Sequence, residues 1–139
     1  MSEQEAPVIQ EQISRKIHDA DLNFLIQAAN FANSNNGVTL LSKGMLISGV
    51  VISEKEYYET VAGSYGERGE SAPAIAEYFW VRSEHAIKPE DYDSLHEFNF
   101  INLKSAKISN NSGSFNSLGS AVIRLKLEEI DGYILGIVS

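Results

Sequence analysis

The sequence contains no cysteine among its 139 residues. Disulfide bonds, thiolate nucleophiles and cysteine-ligated zinc are therefore excluded. No apolar run approaches the ~18 residues that suggest a membrane-spanning helix. The start of the chain, MSEQEAPVIQEQ, lacks the basic residues and the apolar stretch that are typical of a signal peptide. We therefore expect a cytoplasmic protein that does not bind membranes.

Basic residues are also scarce. The chain has 11 Lys and Arg against 19 Asp and Glu, which gives a formal net charge of −8. Proteins that follow a phosphate backbone need clustered Lys and Arg side chains. The charge therefore argues against nucleic acid as a partner, and it suits a soluble, well-hydrated protein or one that meets a basic partner.

Sequence motifs of known enzyme classes are absent. The chain contains no GxSxG, Walker A or dinucleotide-binding fingerprint. His18, His85 and His96 do not have the spacing of metal ligands. Glu54 and Glu56 fall at a predicted helix start, where acidic side chains complement the helix dipole without any catalytic role. The sequence thus predicts no catalytic residue, no cofactor and no metal ion.

The first part of the chain predicts a helix followed by a β-hairpin. Residues 1–14 form a polar segment that we expect to be a flexible tail, and residues 15–139 a single domain. In DADLNFLIQAANFANSNNG, apolar residues recur at three- and four-residue spacing after a candidate N-cap at Asp21. Two β-rich runs then flank Ser42, Lys43 and Gly44, which predicts a hairpin turn.

The stretch LISGVVISEKEYYE predicts a joint between a strand and a helix. Gly49 lies inside the strand, where glycine indicates a bulge, a bend or a close backbone approach. Ser53 and Glu56 have the spacing of a capping box, and Tyr57 follows on the face that would dock the helix. We call Gly49, Ser53, Glu56 and Tyr57 the strand-to-helix joint, and interpret it as structural.

A third helix is predicted in APAIAEYFWVRSE, after a glycine-rich break. It contains three consecutive aromatic residues, Tyr78, Phe79 and Trp80. Three consecutive helical residues cannot all face one core, because each is rotated by about 100° from the last. The group is therefore a candidate interaction patch.

The last part of the chain predicts three strands. FNFINLKSAKIS and AVIRLKLEEI alternate, with Arg124 expected on the outward face between Ile123 and Leu125. Asp131 and Gly132 predict a hairpin turn into a final strand, YILGIVS. The resulting fold class is α+β: an N-terminal helix, a helical insertion after strand 2, and five antiparallel strands. These form either a strongly bent sheet or a small barrel of the SH3-like or Sm-like kind.

Three blocks of the sequence carry a family resemblance. ISGVVISEKEYYE (47–59), FINLKSAKI (100–108) and LEEIDGYILGIVS (127–139) occur in the order found in the gas vesicle accessory protein U family, GvpU, which the chain resembles from about residue 20 onward. The resemblance implies a non-enzymatic accessory protein linked to gas vesicles, the hollow protein shells that give some prokaryotes buoyancy. It also implies a role in assembly or clustering of the vesicles, with shell or other accessory proteins as partners.

Two alternatives to this function remain open at the level of sequence. The order of helix and strands is also compatible with an Sm-like small barrel that binds RNA or acts as an oligomeric scaffold. A small hydrolase or isomerase built on Glu and Tyr side chains would need carboxylates that converge in a pocket. Strands with apolar residues on both faces predict a homo-oligomer.

Overall fold

The computed structural model describes residues 19–66, 72–110 and 113–138. The predicted tail at residues 1–14 and part of the predicted glycine-rich break, residues 67–71, lie outside this part of the chain. The helices are α1 (Ala20–Phe31), α2 (Glu54–Gly66) and α3 (Ala72–Glu84). The strands are β1 (Gly37–Ser42), β2 (Met45–Ile52), β3 (Phe100–Ser109), β4 (Asn116–Ser117), β5 (Ile123–Lys126) and β6 (Gly132–Leu135), and short 3₁₀ helices cover Pro89–Asp91 and Leu127–Glu129.

Helix α1 forms as its apolar spacing predicts. Leu22, Ile26 and Ala29 are buried along one face. The N-cap is Asp19, two residues earlier than the predicted cap at Asp21, because the Asp19 carboxylate accepts a hydrogen bond of 2.9 Å from the Leu22 N–H.

Strands β1 and β2 form the predicted hairpin, with Ser42 paired to Met45. The turn therefore contains two residues, Lys43 and Gly44, with φ angles of 51° and 81°. Two successive positive φ angles are those of a type I′ turn, whose twist matches that of the strands. The hairpin places β1 and β2 at the centre of the sheet.

The α+β fold and the helical insertion after the second strand are confirmed. The sheet is antiparallel and has six strands in the described residues, one more than predicted, because the polar loop after β3 contains the two-residue strand β4. Strands β4 and β5 both pair with β3, β4 along its C-terminal half and β5 along its N-terminal half. The sheet is therefore five strands wide, with β6 on the opposite edge beside β1. No pairing of β5 with β6 closes it within these residues, so the sheet is open.

The predicted hairpin at Asp131 and Gly132 is wrong. The strands on either side of this dipeptide do not pair with each other, since Leu127–Glu129 forms a 3₁₀ helix and β6 pairs with β1. The Asp131 carboxylate accepts a hydrogen bond of 2.9 Å from the Lys43 N–H, which attaches this segment to the β1–β2 turn. The dipeptide thus marks the start of an edge strand.

The short link between β5 and β6 requires the sheet to bend. Four spacings between neighbouring strands amount to roughly 19 Å across a flat sheet. The link Leu127–Asp131 includes one 3₁₀ turn, whose rise is only about 2 Å per residue, so it spans roughly 16 Å at most. The two edges must therefore approach each other at this end.

One face of the sheet carries the hydrophobic core. Its buried members come from α1, from the three central strands and from segments beside them: Leu22, Ile26, Ala29, Val38, Leu40, Ile47, Val51, Phe98, Ile101, Leu103, Ala106 and Leu127. Since side chains alternate along a strand, Thr39, Ser48 and Asn102 face the other side. That second face lies beneath α2 and residues 136–138.

The segment after β6 crosses this second face. Gly136 has a φ of 116°, a conformation that glycine adopts without a steric penalty. Beyond it, the Val138 N–H lies 3.0 Å from Thr39 Oγ1 and 3.2 Å from Ser48 Oγ, so it can donate to both hydroxyls. Thr39 Oγ1 in turn donates to the Gly136 carbonyl at 2.9 Å. These bonds satisfy two hydroxyls that are almost fully buried.

Candidate functional site

The strand-to-helix joint begins at a bulge in the sheet. The pairing of β2 with β3 shifts register between Ser48 and Val50, opposite Ser105 and Ala106. A Cβ on Gly49 would lie 3.1 Å from the Lys104 carbonyl oxygen and 3.2 Å from Leu103 Cβ, which is tight for an ordinary contact. The backbone of β3 therefore approaches β2 more closely here than most side chains would allow.

Helix α2 starts one residue after Ser53. The Ser53 hydroxyl accepts a hydrogen bond of 3.0 Å from the Glu56 N–H, as an N-cap does. The Glu56 carboxylate, which a capping box would direct back to the helix start, lies 3.0 Å from Lys104 Nζ on β3. Both side chains of this ion pair are more than one third exposed, so it contributes at most about 1 kcal/mol.

A second cap on α2 comes from Asn30 in α1. The Asn30 side chain is buried, accepts a hydrogen bond of 3.0 Å from the Glu54 N–H and donates one of 2.8 Å to the Ile26 carbonyl. The role of Asn30 was not predicted from the sequence. Its position, four residues after Ile26 on the apolar side of α1, was the available signal, because a buried asparagine needs partners.

Helices α2 and α3 form a helical hairpin that packs mainly through aromatic rings. Phe79 is half-buried and lies between two tyrosines of α2, with ring centroids 6.3 Å from Tyr58 and 6.2 Å from Tyr65. Tyr57 contacts Tyr58 edge-on at 5.3 Å. Of the predicted patch residues, Phe79 thus contributes to packing within the hairpin.

Two arginines converge on the buried ring of Tyr58. The Cζ atoms of Arg82 and Arg124 lie 4.8 Å and 5.4 Å from its centroid, and Arg82 Nη2 donates a hydrogen bond of 2.7 Å to its hydroxyl. Arg124 also lies 4.2 Å above the ring of Phe100. We call Tyr58, Arg82, Phe100, Asn102 and Arg124 the arginine cluster. In the part of the chain that the structure describes, neither guanidinium is paired with a carboxylate.

The position of Arg124 differs from the prediction. The alternation of β5 places this residue away from the core, as expected, but that face is beneath α2 instead of open to solvent. Sequence periodicity distinguishes the two faces of a strand and does not show what covers the second face. The arginine cluster was therefore not found from sequence.

Asn102 is the buried polar member of the arginine cluster. Its Oδ1 accepts a hydrogen bond of 3.1 Å from Arg124 Nη1, whereas its Nδ2 has no hydrogen-bond partner among the described residues. A buried donor without a partner costs roughly 1–3 kcal/mol. Such a group in a folded protein requires an explanation beyond stability.

The remaining two patch residues point in different directions. Tyr78 is 56% exposed and Trp80 is 44% exposed. They are two positions apart on α3, so their side chains diverge by roughly 160° around the helix. Tyr78 Oη accepts a hydrogen bond of 3.2 Å from Arg82 Nη1, which raises the pKa of Arg82, as does the electrostatic interaction of Arg82 with Tyr58. Tyr78 therefore borders the arginine cluster, and Trp80 lies on the opposite flank.

Tyr78 belongs to an exposed apolar stripe on α3. Ile75, Tyr78 and Val81 recur every three residues, and all three are exposed. This spacing keeps their side chains within one third of the helix circumference, because each step of three moves the side chain by about 60°. We call these three residues the outer stripe. They are large enough, and close enough together, to form one contact surface.

The described ranges contain neither a metal-binding cluster nor a membrane-spanning helix. No group of three or more His, Asp or Glu side chains in residues 19–66, 72–110 and 113–138 is arranged to hold a metal ion. The same residues include no helix that has both the length and the apolar character needed to cross a membrane.

Comparison with known proteins gives one family match. A family model described as gas vesicle protein GvpU-like matches residues 19–138, which is nearly the whole chain. The match includes the joint, the helical hairpin and the arginine cluster. No curated protein and no solved structure matches significantly.

Proposed function

The chain belongs to the GvpU-like family of gas vesicle proteins, and from this premise we propose that it is a non-enzymatic accessory protein that binds assembled gas vesicles. The family match over residues 19–138 is the observation that carries the proposal. In the cell, binding to the shell would place the protein on the vesicle surface and affect vesicle assembly or clustering.

We assign the vesicle contact to the outer stripe of α3. Ile75, Tyr78 and Val81 are exposed on a helix whose only deeply buried side chains are small, Ala72, Ala76 and Ser83. Aromatic side chains contribute disproportionately to the affinity of protein interfaces, so Tyr78 is the expected main contact. The vesicle shell is made of protein. An apolar stripe is more complementary to a protein surface than to a highly charged polymer.

The proposal is tested by mixing the purified protein with isolated gas vesicles and recovering the vesicles by centrifugation. We expect the full chain to be recovered with the vesicles and Tyr78→Ala to weaken binding by about tenfold. Trp80→Ala is the matched control, since it removes an exposed aromatic residue from the opposite flank of the same helix. If the unaltered protein is not recovered with the vesicles, the proposed function is wrong.

The predicted homo-oligomer remains a proposal, and strand β6 supports it. β6 is an edge strand with both Ile134 and Leu135 exposed, at 52% and 63%. Its outer backbone groups offer a template on which the same strand of a second copy can pair. Light scattering after size exclusion should give a mass above that of one chain, and Leu135→Lys should shift it towards the monomer. A monomeric unaltered protein would contradict this assignment.

No feature of the described residues favours the RNA-binding alternative. The sheet is open, and both arginines of the described part contact the same tyrosine ring instead of forming a broad basic surface. A net charge of −8 opposes any polyanion.

A further inference from the structure

We propose that the arginine cluster is a binding site for a carboxylate group on an acidic peptide segment of a partner protein. Arg82 and Arg124 would hold the carboxylate between them, and Tyr58 and Phe100 would form the floor on which both guanidinium groups stack. The inference stands on this geometry and does not depend on the proposed binding to gas vesicles.

The first observation is that two cations share one aromatic ring. Since their Cζ atoms lie 4.8 Å and 5.4 Å from the centroid of Tyr58, these two atoms are at most about 10 Å apart. Like charges at this distance repel each other, and the aromatic faces offset part of that repulsion. A bound anion would offset more of it.

The second observation is the lack of a carboxylate in a chain that is rich in them. Acidic residues outnumber basic residues by 19 to 11, yet no carboxylate pairs with Arg82 or Arg124 in the described part of the chain. Lys43, Lys55 and Lys104 each have a carboxylate within 4 Å. Unlike these lysines, the two arginines contact only neutral groups among the described residues.

The third observation is that donors remain for a ligand. Arg82 donates to two tyrosine hydroxyls, and Arg124 donates to the amide oxygen of Asn102. A guanidinium has more N–H donors than these bonds use, and its planar fork matches a carboxylate bidentately. The contacts with Tyr58, Tyr78 and Asn102 hold the two side chains in place, so little side-chain freedom remains to be lost on binding.

The fourth observation is the buried side chain of Asn102, which fixes Arg124. This fully buried amide uses its oxygen to orient Arg124 and leaves its Nδ2 without a hydrogen-bond partner in the described residues. An apolar residue here would avoid an unsatisfied donor, but it would also leave Arg124 without its anchor. The Asn102 amide therefore holds the Arg124 guanidinium beside the rings of Tyr58 and Phe100.

The surroundings favour a peptide over a phosphate polymer or a lipid surface. A polyanion would meet the repulsion of a chain with a net charge of −8, and it would need many cations spread along its path. A peptide places one or two carboxylates locally. Ile75 and Tyr78 lie at i−7 and i−4 from Arg82, on the same side of α3, and offer apolar contact to the residues that flank the carboxylate.

The test is fluorescence anisotropy with a short labelled peptide that has two adjacent glutamates flanked by leucines. A second peptide replaces both glutamates by glutamines. We expect the full-length protein to bind the acidic peptide at least about tenfold more tightly than the neutral one, because the charge-assisted bonds are lost in the second. Equal binding of the two peptides would overturn the proposal.

Variants locate the binding to the cluster. Arg82→Gln should weaken binding of the acidic peptide by about tenfold or more, whereas Lys107→Gln removes the same charge from an exposed position and should change binding less than about twofold. Arg82→Lys keeps the charge without the planar fork and should be intermediate. Circular dichroism of each variant shows that the fold is retained, and Arg82 is suited to this because its side chain is exposed. Equal losses for Arg82→Gln and Lys107→Gln would show that the attraction is nonspecific and overturn the site.

A competition arm distinguishes the source of the anion. Inorganic phosphate is added at constant ionic strength to the protein with the acidic peptide bound. We expect little displacement, since free phosphate lacks the apolar contacts beside Ile75 and Tyr78. Efficient displacement at concentrations similar to that of the peptide would overturn the assignment to a peptide ligand.

Discussion

Two parts of the molecule differ in the side chains that hold them together. One is the sheet with α1, and the other is the helical hairpin of α2 and α3. The first is held by aliphatic side chains that are almost completely buried, such as Ile26, Leu40 and Leu103. The second buries small residues of α3 and stacks tyrosines, Phe79 and two arginines around them. Apart from Phe79, the large apolar side chains of α3 are exposed, namely those of Ile75, Tyr78, Trp80 and Val81.

This difference separates stability from recognition. Burial of aliphatic side chains stabilises a fold without regard to direction, whereas aromatic and guanidinium groups give directional contacts that a ligand can share. We therefore expect changes in the sheet to alter mainly the free energy of unfolding, and exposed changes in the hairpin to alter mainly binding. Four measurements test this separation.

The largest effect is expected from Leu103→Ala. Leu103 is fully buried in the core, and removal of such a side chain leaves a cavity, so the free energy of unfolding should fall by about 3 kcal/mol. Tyr78→Ala removes more atoms from the exposed side of the hairpin and should cost less than about 0.5 kcal/mol. Urea denaturation measures both. Similar losses for the two variants would contradict the separation.

A smaller effect is expected from Gly49→Ala. The added Cβ would press against the Lys104 carbonyl oxygen and Leu103 Cβ, and we expect a loss of about 2 kcal/mol. Gly63→Ala is its control, since a Cβ there meets no heavy atom within 4 Å and alanine is the better helix former. That variant should gain about 0.5 kcal/mol in thermal or urea unfolding. If Gly49→Ala left the free energy of unfolding unchanged, β3 would be able to move away from β2.

Ser53→Ala tests the boundary between the two regions. The variant loses the cap on the Glu56 N–H and should be destabilised by about 0.5 kcal/mol, at the low end of the range for caps, because Asn30 still accepts from the Glu54 N–H. Hydrogen exchange should locate the loss in the first turn of α2. Ser64→Ala, near the other end of α2, is the control, and it should leave that turn unchanged. Faster exchange throughout the sheet in Ser53→Ala would show that the two regions unfold as one unit.

The smallest effect is an alkaline dependence of the sheet region. Partial burial of the Tyr133 phenol, with hydrogen bonds from its hydroxyl to the carboxylates of Asp21 and Asp19, raises its pKa to about 12. An unfolded tyrosine ionises near pH 10, so the unfolded chain releases this proton first. The contribution of Tyr133 is thus present below pH 10 and is lost as the pH rises from about 10 to 12.

Tyr133→Phe checks this dependence. The difference in the free energy of unfolding between the variant and the unaltered protein should shrink between pH 9 and about pH 12. In a titration followed by tyrosinate absorbance, Tyr133→Phe should also show one tyrosine fewer that ionises above about pH 10. A difference that is constant with pH would mean that the two carboxylates do not hold this phenol.

Local patterns in the sequence predicted most of the fold. The helical spacing of Leu22, Ile26 and Ala29, the turn at Lys43 and Gly44, and the cap at Ser53 each depend on neighbours within a few residues. The hairpin predicted at Asp131 failed because its outcome depends on a distant partner. The β1 strand competes for β6, and the Lys43 N–H binds the Asp131 carboxylate.

The candidate site was harder to predict for the same reason. Tyr58 and Arg82 are 24 residues apart, and Asn102 and Arg124 come from two further strands. Their meeting depends on how the helical hairpin folds back over the sheet, which no local pattern contains. The aromatic group at residues 78–80 was visible in the sequence, but only the helix orientation shows that Phe79 packs inward while Tyr78 and Trp80 diverge.

The hydrogen bond between Thr39 and Val138 joins positions 99 residues apart. Contacts this distant in sequence are slow to form, because the chain must first lose the entropy of closing a long loop. The β1–β2 hairpin closes over only a few residues, so it should form early. One edge of β1 then stays unpaired until β6 pairs with it. We therefore expect arrival of β6 and the segment behind it to be a late event in folding. Until then, the exposed edge of β1 is where a newly made chain is most open to pairing with another.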